Sequence, residues 1–212
     1  MNTRLELAAV KKAFGARSVL NQTWLQVRAG EAVGLIGANG AGKTTLLRIA
    51  AGLVIPQSGS VRWSSPADPD RARIRYFGGE VSLPPSVPVR RWASLFGVAH
   101  GDRRPIGQLS RGTRQLLGLR VLLSAHEADI LILDEPWEGL DPDGSAWLTE
   151  RVRQCRADGA AILISSHRMH DLDSVCTRYL LLESGRCRPI GDRELRPRVD
   201  QLMQAARRRG RA

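Results

Sequence analysis

The sequence lacks a long hydrophobic run. Apolar stretches such as 130–133 and 179–182 are far shorter than the roughly 20 residues that a membrane-spanning helix needs. The first residues, Met1–Glu6, also lack the apolar core of a signal peptide. We therefore expect a soluble protein that is not exported.

Cysteine and lysine are scarce. Cys155, Cys176 and Cys187 are odd in number and lack metal-ligand spacing, so neither a disulfide framework nor a zinc site is expected. A reducing cytoplasm fits this usage. Only three of the 32 Lys and Arg residues are lysine, so arginine dominates the net charge of +11. Such charge favours nucleic acid or an anionic membrane surface as a neighbour and does not choose between them.

The order of predicted elements indicates an α/β protein. A chain of 212 residues with 42% hydrophobic and 25% charged residues suits one globular domain. Polar and apolar residues alternate over 4–10 and 19–28, which predicts an N-terminal antiparallel β subdomain. Beyond it, buried strands alternate with helices, so we expect a parallel sheet with ligands at the carboxyl ends of its strands. The strands are predicted at 32–36, 74–77, 129–133, 160–164 and 179–182, and the helices at 90–96, 110–124, 144–157, 168–175 and 193–209. Ser184 and Gly185 are predicted to form a hairpin turn after the last of these strands.

A glycine-rich loop follows the first buried strand. Residues 37–45 read Gly-Ala-Asn-Gly-Ala-Gly-Lys-Thr-Thr and match G-x-x-x-x-G-K-[ST] at the opening of a helix. Glycines let successive N–H groups converge on an anion at the helix N-terminus. Lys43 is predicted to reach the β- and γ-phosphates, and the Thr44 hydroxyl to join Mg²⁺. The alternative is a glycine turn that binds no nucleotide.

Two acids end a second apolar strand. Ile130–Leu133 is followed by Asp134 and Glu135, which predicts a buried strand that delivers carboxylates to a site at the sheet edge. In P-loop NTPases an acid in this place holds Mg²⁺, and a neighbouring carboxylate can polarise the attacking water. A strand that ends in solvated acids is the alternative, and the P-loop argues against it.

Five motifs in a fixed order carry a family resemblance. The chain resembles the ATPase subunits of ATP-binding-cassette (ABC) transporters from residue 4 to about 190. Leu-Ser-x-Gly separates that family from other P-loop NTPases. The motifs are the P-loop, Leu109-Ser110-Arg111-Gly112-Thr113, Leu133-Asp134-Glu135-Pro136, Gly139-Leu140-Asp141 and Ser166-His167. The fold expected from this resemblance is a P-loop NTPase core with a parallel sheet, the antiparallel β subdomain and a short α-helical lobe.

The resemblance implies ATP and Mg²⁺ as ligands and assigns roles to residues. Lys43, Glu135 and His167 would be catalytic, with Glu135 the base and His167 a switch that senses the γ-phosphate. Mg²⁺ would be held by Thr44, Asp134 and Glu80. ATP would be bound by Phe14, Gly37, Asn39, Gly40, Ala41, Gly42, Lys43, Thr44 and Thr45. Without the resemblance, packing is the alternative role for Phe14, an aromatic residue at a turn. A structural role is the alternative for His167, a histidine that follows a strand.

The resemblance also implies a head-to-tail dimer, either a homodimer or a heterodimer. Ser110, Arg111, Gly112 and Thr113 would face the γ-phosphate of ATP held by the opposite subunit. A helix N-terminus offered in trans stabilises charge on the transferred phosphoryl group, so monomers should hydrolyse ATP slowly. Asp141 would lie in the loop that couples the two sites.

Three features depart from the family pattern. The usual signature ends in Gly-Gly-Gln, whereas this chain has Arg111-Gly112-Thr113, which leaves contacts from Thr113 to ATP open. The glutamine expected after the strand at 74–77 is absent. Glu80 or Gly79 takes its place, and Glu80 is favoured because it offers an oxygen. The helical lobe, at about 81–125, is short.

The predicted function is ATP hydrolysis for an ABC transporter, with export favoured over import. A single ATPase domain over residues 1–212, with a basic helix at about 192–212, would act on the inner face of the cell membrane with a separately encoded integral permease. Tyr76-x-Gly78 is similar to the haem-exporter subunit of cytochrome c maturation, whereas Arg111-Gly112 favours the drug, lipid or polysaccharide exporters.

Two alternatives stay open at this point. The basic tail would suit a permease-independent ATPase that acts on nucleic acid or ribosomes. The chain has neither the second cassette nor the long coiled coils of such proteins, so nucleic acid is not the expected partner. Glu80 and Thr113 leave room for a regulatory cassette that binds ATP without turnover.

Overall fold

The computed structural model describes residues 2–68, 71–79, 82–98, 100–124 and 128–191. Glu80 and the basic helix expected at about 192–212 lie outside these residues. No helix in the described part of the chain is long and apolar enough to cross a membrane. In chain order the elements are β1 (Thr3–Phe14), β2 (Arg17–Arg28), β3 (Ala32–Ile36), α1 (Lys43–Ala50), β4 (Ser58–Trp63), β5 (Ile74–Phe77), α2 (Val89–Ser94), a 3₁₀ turn (Ile106–Gln108), α3 (Arg111–Ser124), β6 (Ile130–Asp134), α4 (Pro142–Ala157), β7 (Ala161–Ser165), α5 (Met169–Asp173), β8 (Arg178–Glu183) and β9 (Arg186–Ile190).

A six-stranded sheet forms the centre of the fold, in the order β5-β6-β7-β3-β8-β9. Neighbouring strands are parallel except for β9, which pairs antiparallel with β8. Every residue of β3, β6 and β7 is buried, as expected where both faces of a parallel sheet are covered. The mixed α/β class predicted from the alternation of strands and helices is confirmed.

The antiparallel β subdomain is a second sheet, in the order β2-β1-β4. Its strands are longer than the sequence suggested, since β1 continues to Phe14. Register shifts interrupt the pairing of β1 with β2, and Ala9 has a φ of 51°, which is the irregularity expected at a bulge. The hairpin turn predicted at Ser184 and Gly185 is present, with φ values of 49° and 71°. Two consecutive positive φ values are typical of a type I′ turn.

Two apolar clusters cover the opposite faces of the central sheet. On one face, Leu131, Leu133 and Ile164 pack with Trp137 and residues of α3 and α4. On the other face, Ile130, Ile132 and Leu163 pack with α1 and the antiparallel subdomain. Successive strand residues point to opposite faces, so the same short strands supply both clusters. The carboxyl ends of these strands are therefore held rigidly from two sides.

The helical lobe has a small core of its own. Val89, Ala93, Ile106, Leu109 and Leu117 are buried together. The helix predicted over 90–96 is observed as α2, and the lobe closes through a bridge between Pro88 and Pro105. A core of five residues buries little apolar surface and can therefore stabilise only a small unit. This agrees with the short helical lobe expected from the sequence.

Candidate functional site

A cavity of about 490 Å³ opens at the carboxyl ends of β3 and β6. Most of the residues predicted to bind a phosphate ligand line it, together with both acids that end β6. Arg17 and Val19 complete the wall. The lining residues are Phe14, Arg17, Val19, Asn39, Gly40, Gly42, Lys43, Thr44, Thr45, Asp134 and Glu135. Ligand binding at this sheet edge is the rule for parallel α/β folds.

The loop between β3 and α1 needs its glycines. Gly40 and Gly42 have φ values of 76° and 104°, a left-handed conformation that glycine adopts without steric cost. A Cβ on Gly37 would lie 2.7 Å from the carbonyl oxygen of Leu182, so the chain also passes too close for a side chain there. Gly42 then caps α1, which begins at Lys43. The free N–H groups of that helix end face the cavity, where an anion is stabilised.

Lys43 is buried at the floor of this loop. Its Nζ donates hydrogen bonds to the carbonyl oxygens of Gly37, at 2.8 Å, and Ala38, at 3.3 Å. Burial lowers the pKa of Lys43, while the carboxylates of Glu135 and Asp134 act in the opposite direction. The ammonium is thus poorly hydrated and tethered to the loop, so an incoming phosphate can replace the two carbonyl partners.

Ser165, at the end of β7, connects the two acids of β6. Its Oγ donates to Asp134 Oδ1 at 2.6 Å. The Glu135 N–H in turn donates to Ser165 Oγ at 3.0 Å and to the Ser165 carbonyl at 3.2 Å. The pairing of Asp134 with Ser165 across β6 and β7 brings these groups together. Both acids therefore have fixed positions at the cavity.

The Glu135 carboxylate is held by His167. Glu135 Oε2 accepts the His167 backbone N–H at 3.0 Å and lies 2.8 Å from the His167 ring Nδ1. The remaining carboxylate oxygen is not engaged by His167. This is the arrangement needed for a carboxylate that is oriented on one side and can accept a proton on the other.

The oxygen groups at the cavity suit Mg²⁺. Thr44 and Asp134, which carry a hydroxyl and a carboxylate, line the same cavity, and Mg²⁺ is typically bound by one or two carboxylates together with phosphates and water. Gly79 lies near this point, since a Cβ on it would be 3.4 Å from the Asp134 carbonyl. Within the described ranges, no group of three or more His, Cys, Asp or Glu side chains has an arrangement that could hold a metal ion by itself.

Phe14 and Arg17 form the outer rim of the cavity. Phe14 is 55% exposed, and Lys12 Nζ lies 5.3 Å from the centre of its ring. Arg17 Nη2 donates to the Gly40 carbonyl at 3.1 Å. The sequence analysis did not identify Arg17 as a site residue. The register of the β1–β2 hairpin is the signal that points to it, because Phe14 pairs with Arg17 across the two strands.

Ser110, Arg111, Gly112 and Thr113 lie outside this cavity. Ser110 caps α3, since its Oγ accepts the Thr113 N–H at 3.1 Å and lies 2.7 Å from Thr113 Oγ1. Such a cap stabilises a helix by roughly 1 kcal/mol. The Ser110 and Thr113 hydroxyls therefore form an exposed hydrogen-bonded pair at the start of α3.

The start of α3 packs against the loop after β6. A Cβ on Gly112 would lie 2.1 Å from the Gly139 carbonyl oxygen, so the two backbones are in direct contact. Gln115 Nε2 donates to the Pro136 carbonyl at 3.1 Å. Asp141, at the end of the same loop, caps α4 by accepting the Gly144 N–H at 2.7 Å. A movement of α3 would therefore displace the loop that carries Asp141.

A larger cleft, of about 890 Å³, separates β5 from the helical lobe. Arg48, Arg111 and Arg114 line it, together with Tyr76 and Gly79. Burial raises the pKa of Tyr76. The cleft is adjacent to the position where the family's usual glutamine is missing.

A strand, a glycine loop and a buried lysine beside two strand-end acids define the protein as a P-loop NTPase. A family model described as ABC transporter matches residues 20–138. The chain belongs to the ABC transporter family and is an ATP-binding, ATP-hydrolysing subunit of it. The family resemblance, the fold and the enzyme class predicted from the motifs are confirmed.

Relatives and solved structures agree with this assignment. The chain is 35% identical over 209 residues to the Nod factor export ATP-binding protein I of Burkholderia lata, covering 86% of this chain and 68% of that protein. It is 32% identical over 195 residues to the lantibiotic transport ATP-binding protein SrtF of Streptococcus pyogenes, covering 80% and 82%. A structure of an ATP-binding subunit of an ABC transporter superposes with a TM-score of 0.76 at 24% identity, covering 95% of this chain and 98% of that one.

Proposed function

We propose that this protein binds ATP and Mg²⁺ in the cavity at the ends of β3 and β6 and hydrolyses ATP to drive export through a separate integral membrane permease. The observation that carries the proposal is the Glu135 carboxylate, fixed by His167 beside the buried Lys43. A solvated acid at a strand end would need neither partner. We further propose that residues 1–212 act as one ATPase domain.

Glu135 acts as the general base. His167 holds one carboxylate oxygen through its N–H and its ring nitrogen, which leaves the other oxygen to accept a proton from the attacking water. General bases contribute about 10²–10⁴-fold in rate. His167 also senses the γ-phosphate. A phosphate that draws the imidazole ring toward itself would change the hydrogen bond between His167 Nδ1 and Glu135 Oε2.

The glycine loop binds the phosphates. N–H groups of Gly40, Ala41, Gly42 and Thr45 surround the anion at the start of α1, and Lys43 exchanges its two carbonyl partners for phosphate oxygens. The exposed ring of Phe14 stacks on adenine, and Gly37 and Asn39 shape the loop between them.

Thr44 and Asp134 would hold Mg²⁺, with Glu80 the favoured further ligand and Gly79 the alternative. The bound ion would neutralise part of the negative charge of the phosphates. Ser165 keeps Asp134 oriented toward the cavity through its 2.6 Å hydrogen bond.

The active form is a head-to-tail homodimer or heterodimer. Ser110, Arg111, Gly112 and Thr113 contribute in trans, which fits their position outside the cavity of their own chain. A helix N-terminus supplied by a second subunit stabilises charge on the transferred group. The contact between Gly112 and Gly139 then links the trans site to Asp141 and so to the second cavity of the dimer.

The permease docks at the cleft beside the helical lobe. Arg48, Arg111 and Arg114 line that cleft and suit an acidic or helix C-terminal segment of the partner. Such docking would hold the ATPase on the cytoplasmic face of the membrane. Export is proposed because the relatives reported above include a Nod factor export protein and a lantibiotic transport protein.

The test is the Glu135→Gln variant. It should keep ATP affinity, lose about 10²-fold or more of the hydrolysis rate, and elute as a dimer only with ATP and Mg²⁺ during size-exclusion chromatography with light scattering. Lys43→Ala removes the ammonium group that binds the phosphates, so this variant should remain monomeric under the same conditions. Unchanged hydrolysis by Glu135→Gln would refute its role as base, and a monomer at saturating ATP would refute the dimer.

A further inference from the structure

Arg17 reaches the rim of the cavity at the ends of β3 and β6 because of a tight hairpin. β1 ends at Phe14 and β2 begins at Arg17, so two residues connect the strands. Phe14 and Arg17 are the pair next to this turn, and directly opposed residues of an antiparallel sheet share one face. The aromatic ring and the guanidinium therefore belong to the wall of the same cavity.

The guanidinium of Arg17 lies against the glycine loop. Its Nη2 donates to the Gly40 carbonyl at 3.1 Å, and a Cβ on Gly40 would be 3.4 Å from the same nitrogen. Lys43 bonds to the same loop from below, through the carbonyls of Gly37 and Ala38. The loop thus has a buried cation at its floor and an exposed cation at its rim.

The bond to Gly40 leaves the guanidinium able to bind a second acceptor. The Arg17 side chain is exposed, and so is its hydrogen bond to the loop. A guanidinium carries several N–H donors in a rigid fork, and this bond uses one of them. Because the carbonyl already holds the fork at the cavity wall, a ligand meets a side chain that has lost part of its conformational freedom.

The order of the binding groups along the cavity places Arg17 between the base and the terminal phosphates. In the proposed complex, Phe14 stacks on adenine and the N–H groups at the start of α1 surround the phosphates. Arg17 is paired with Phe14 on one side and bonded to Gly40 on the other. The phosphate attached to the nucleoside, the α-phosphate, is the part of ATP that joins these two ends.

We propose that Arg17 is a nucleotide-binding residue, which binds the α-phosphate of ATP through the N–H groups that Gly40 does not use. Guanidinium groups match phosphate oxygens in charge and in geometry. The inference rests on the proposed binding of ATP in this cavity and adds a phosphate contact from outside the glycine loop. ADP carries the same α-phosphate, so Arg17 binds both nucleotides alike.

The experiment compares ATP, ADP and adenosine. Binding of the two nucleotides is measured by calorimetry in EDTA, which prevents turnover, and adenosine is measured by its competition with ADP. Arg17→Met removes the guanidinium and keeps an unbranched side chain, whereas Arg17→Lys keeps the charge without the fork. Arg28→Met is the matched control, because Arg28 is an exposed arginine at the opposite end of the same strand.

Arg17→Met should weaken the binding of ATP and of ADP by the same factor, about tenfold or more, and should leave adenosine binding unchanged. Arg17→Lys should recover part of the loss, and Arg28→Met should bind all three ligands as the unaltered protein does. Unchanged ATP and ADP affinities in Arg17→Met would overturn the proposal. A loss for ATP alone would place the contact at the γ-phosphate, and an equal loss for adenosine would place it at the nucleoside. Either result would overturn the assignment to the α-phosphate.

Salt distinguishes a phosphate contact from mere support of the loop. Added sodium chloride weakens exposed charge contacts, so the ADP affinity of the unaltered protein should fall more steeply with salt than that of Arg17→Met. If both proteins show the same salt dependence, then Arg17 only supports the loop through Gly40 and the proposal is wrong. An unaltered protein that fails to bind ATP would instead refute the proposed function, whatever the Arg17 variants do.

Discussion

At the scale of single residues, Glu135 combines a chemical and a conformational feature. Its φ of 48° is unusual for a residue with a side chain and costs roughly 1–3 kcal/mol. The two hydrogen bonds from its N–H to Ser165 offset this cost. The motif predicted the carboxylate, but no local pattern encodes the backbone angle, because that angle depends on the neighbouring strand.

Two cysteines, Cys176 and Cys187, make the stability of the folded protein depend on pH. Burial raises the pKa of Cys176 and of Cys187 to about 12, whereas an unfolded thiol titrates near about 8.5. The folded state thus disfavours the thiolate. Its contribution to stability is complete below about pH 8.5 and is lost as the pH rises toward 12, by up to about 1.4 kcal/mol per pH unit for each thiol.

Urea unfolding at several pH values between about 8 and 10 tests this dependence. The double variant Cys176→Ala and Cys187→Ala should lose less of its free energy of unfolding with rising pH than the unaltered protein. Lysines and tyrosines titrate in both proteins, so the difference between the two curves isolates the thiols. Parallel curves would contradict the raised pKa values.

At the scale of elements, the contact between α3 and the loop after β6 is tight. Gly112→Ala would place a Cβ 2.1 Å from the Gly139 carbonyl oxygen, so the start of α3 must move. We expect ATPase activity to fall by about 10–100-fold, the size of effect that a displacement of about 1 Å produces. Activity is measured as phosphate release, and folding is checked by circular dichroism.

Gly101→Ala is the control for this substitution. A Cβ on Gly101 meets no atom within 4 Å, so activity and stability should stay within about twofold of the unaltered protein. If Gly112→Ala is equally active, then the packing of α3 on the loop does not matter for turnover.

The elements were predictable where periodicity or capping was local. The apolar runs that form β3, β6 and β7 were predictable because both faces of the sheet bury them. The helix predicted from Gly144 begins at Pro142 instead. Asp141 before a proline was the available signal, since these residues are typical of the N-cap and first helical position. The long β1 and β2 depend on pairing across a bulge, which sequence alone does not reveal.

At the scale of the whole molecule, Ser110 does not line the cavity that holds Lys43 in its own chain. The proposed dimer would bring the cavity of one chain together with the Ser110 region of the other. A mixture of Lys43→Ala with Ser110→Arg should then recover activity. Each variant is defective alone, but a mixed dimer contains one site with an intact cavity and an intact signature.

The recovered rate should reach up to about a quarter of that of the unaltered protein, since random pairing makes half of the dimers mixed and each carries one intact site. Phosphate release is measured at equal total protein concentration. A mixture that is no more active than its separate components would show that the signature does not act in trans.

The motifs named most of the residues that the structure gathers in the cavity at the ends of β3 and β6, but not Arg17. Lys43, Asp134 and Glu135 can be recognised from the sequence because each belongs to a short continuous motif that follows or ends a buried strand. Arg17 reaches the cavity only through the pairing of β1 with β2. Such a contact belongs to no continuous motif.

The position of Ser165 makes catalytic competence a test of correct folding. A slip of one residue between β6 and β7 would turn its hydroxyl to the other face of the sheet, and Asp134 and Glu135 would lose their shared partner. Misregistered molecules can keep their secondary structure and still be inactive. The active fraction of a refolded sample should therefore report the proportion of molecules with native strand alignment, which spectra that average over the backbone do not resolve.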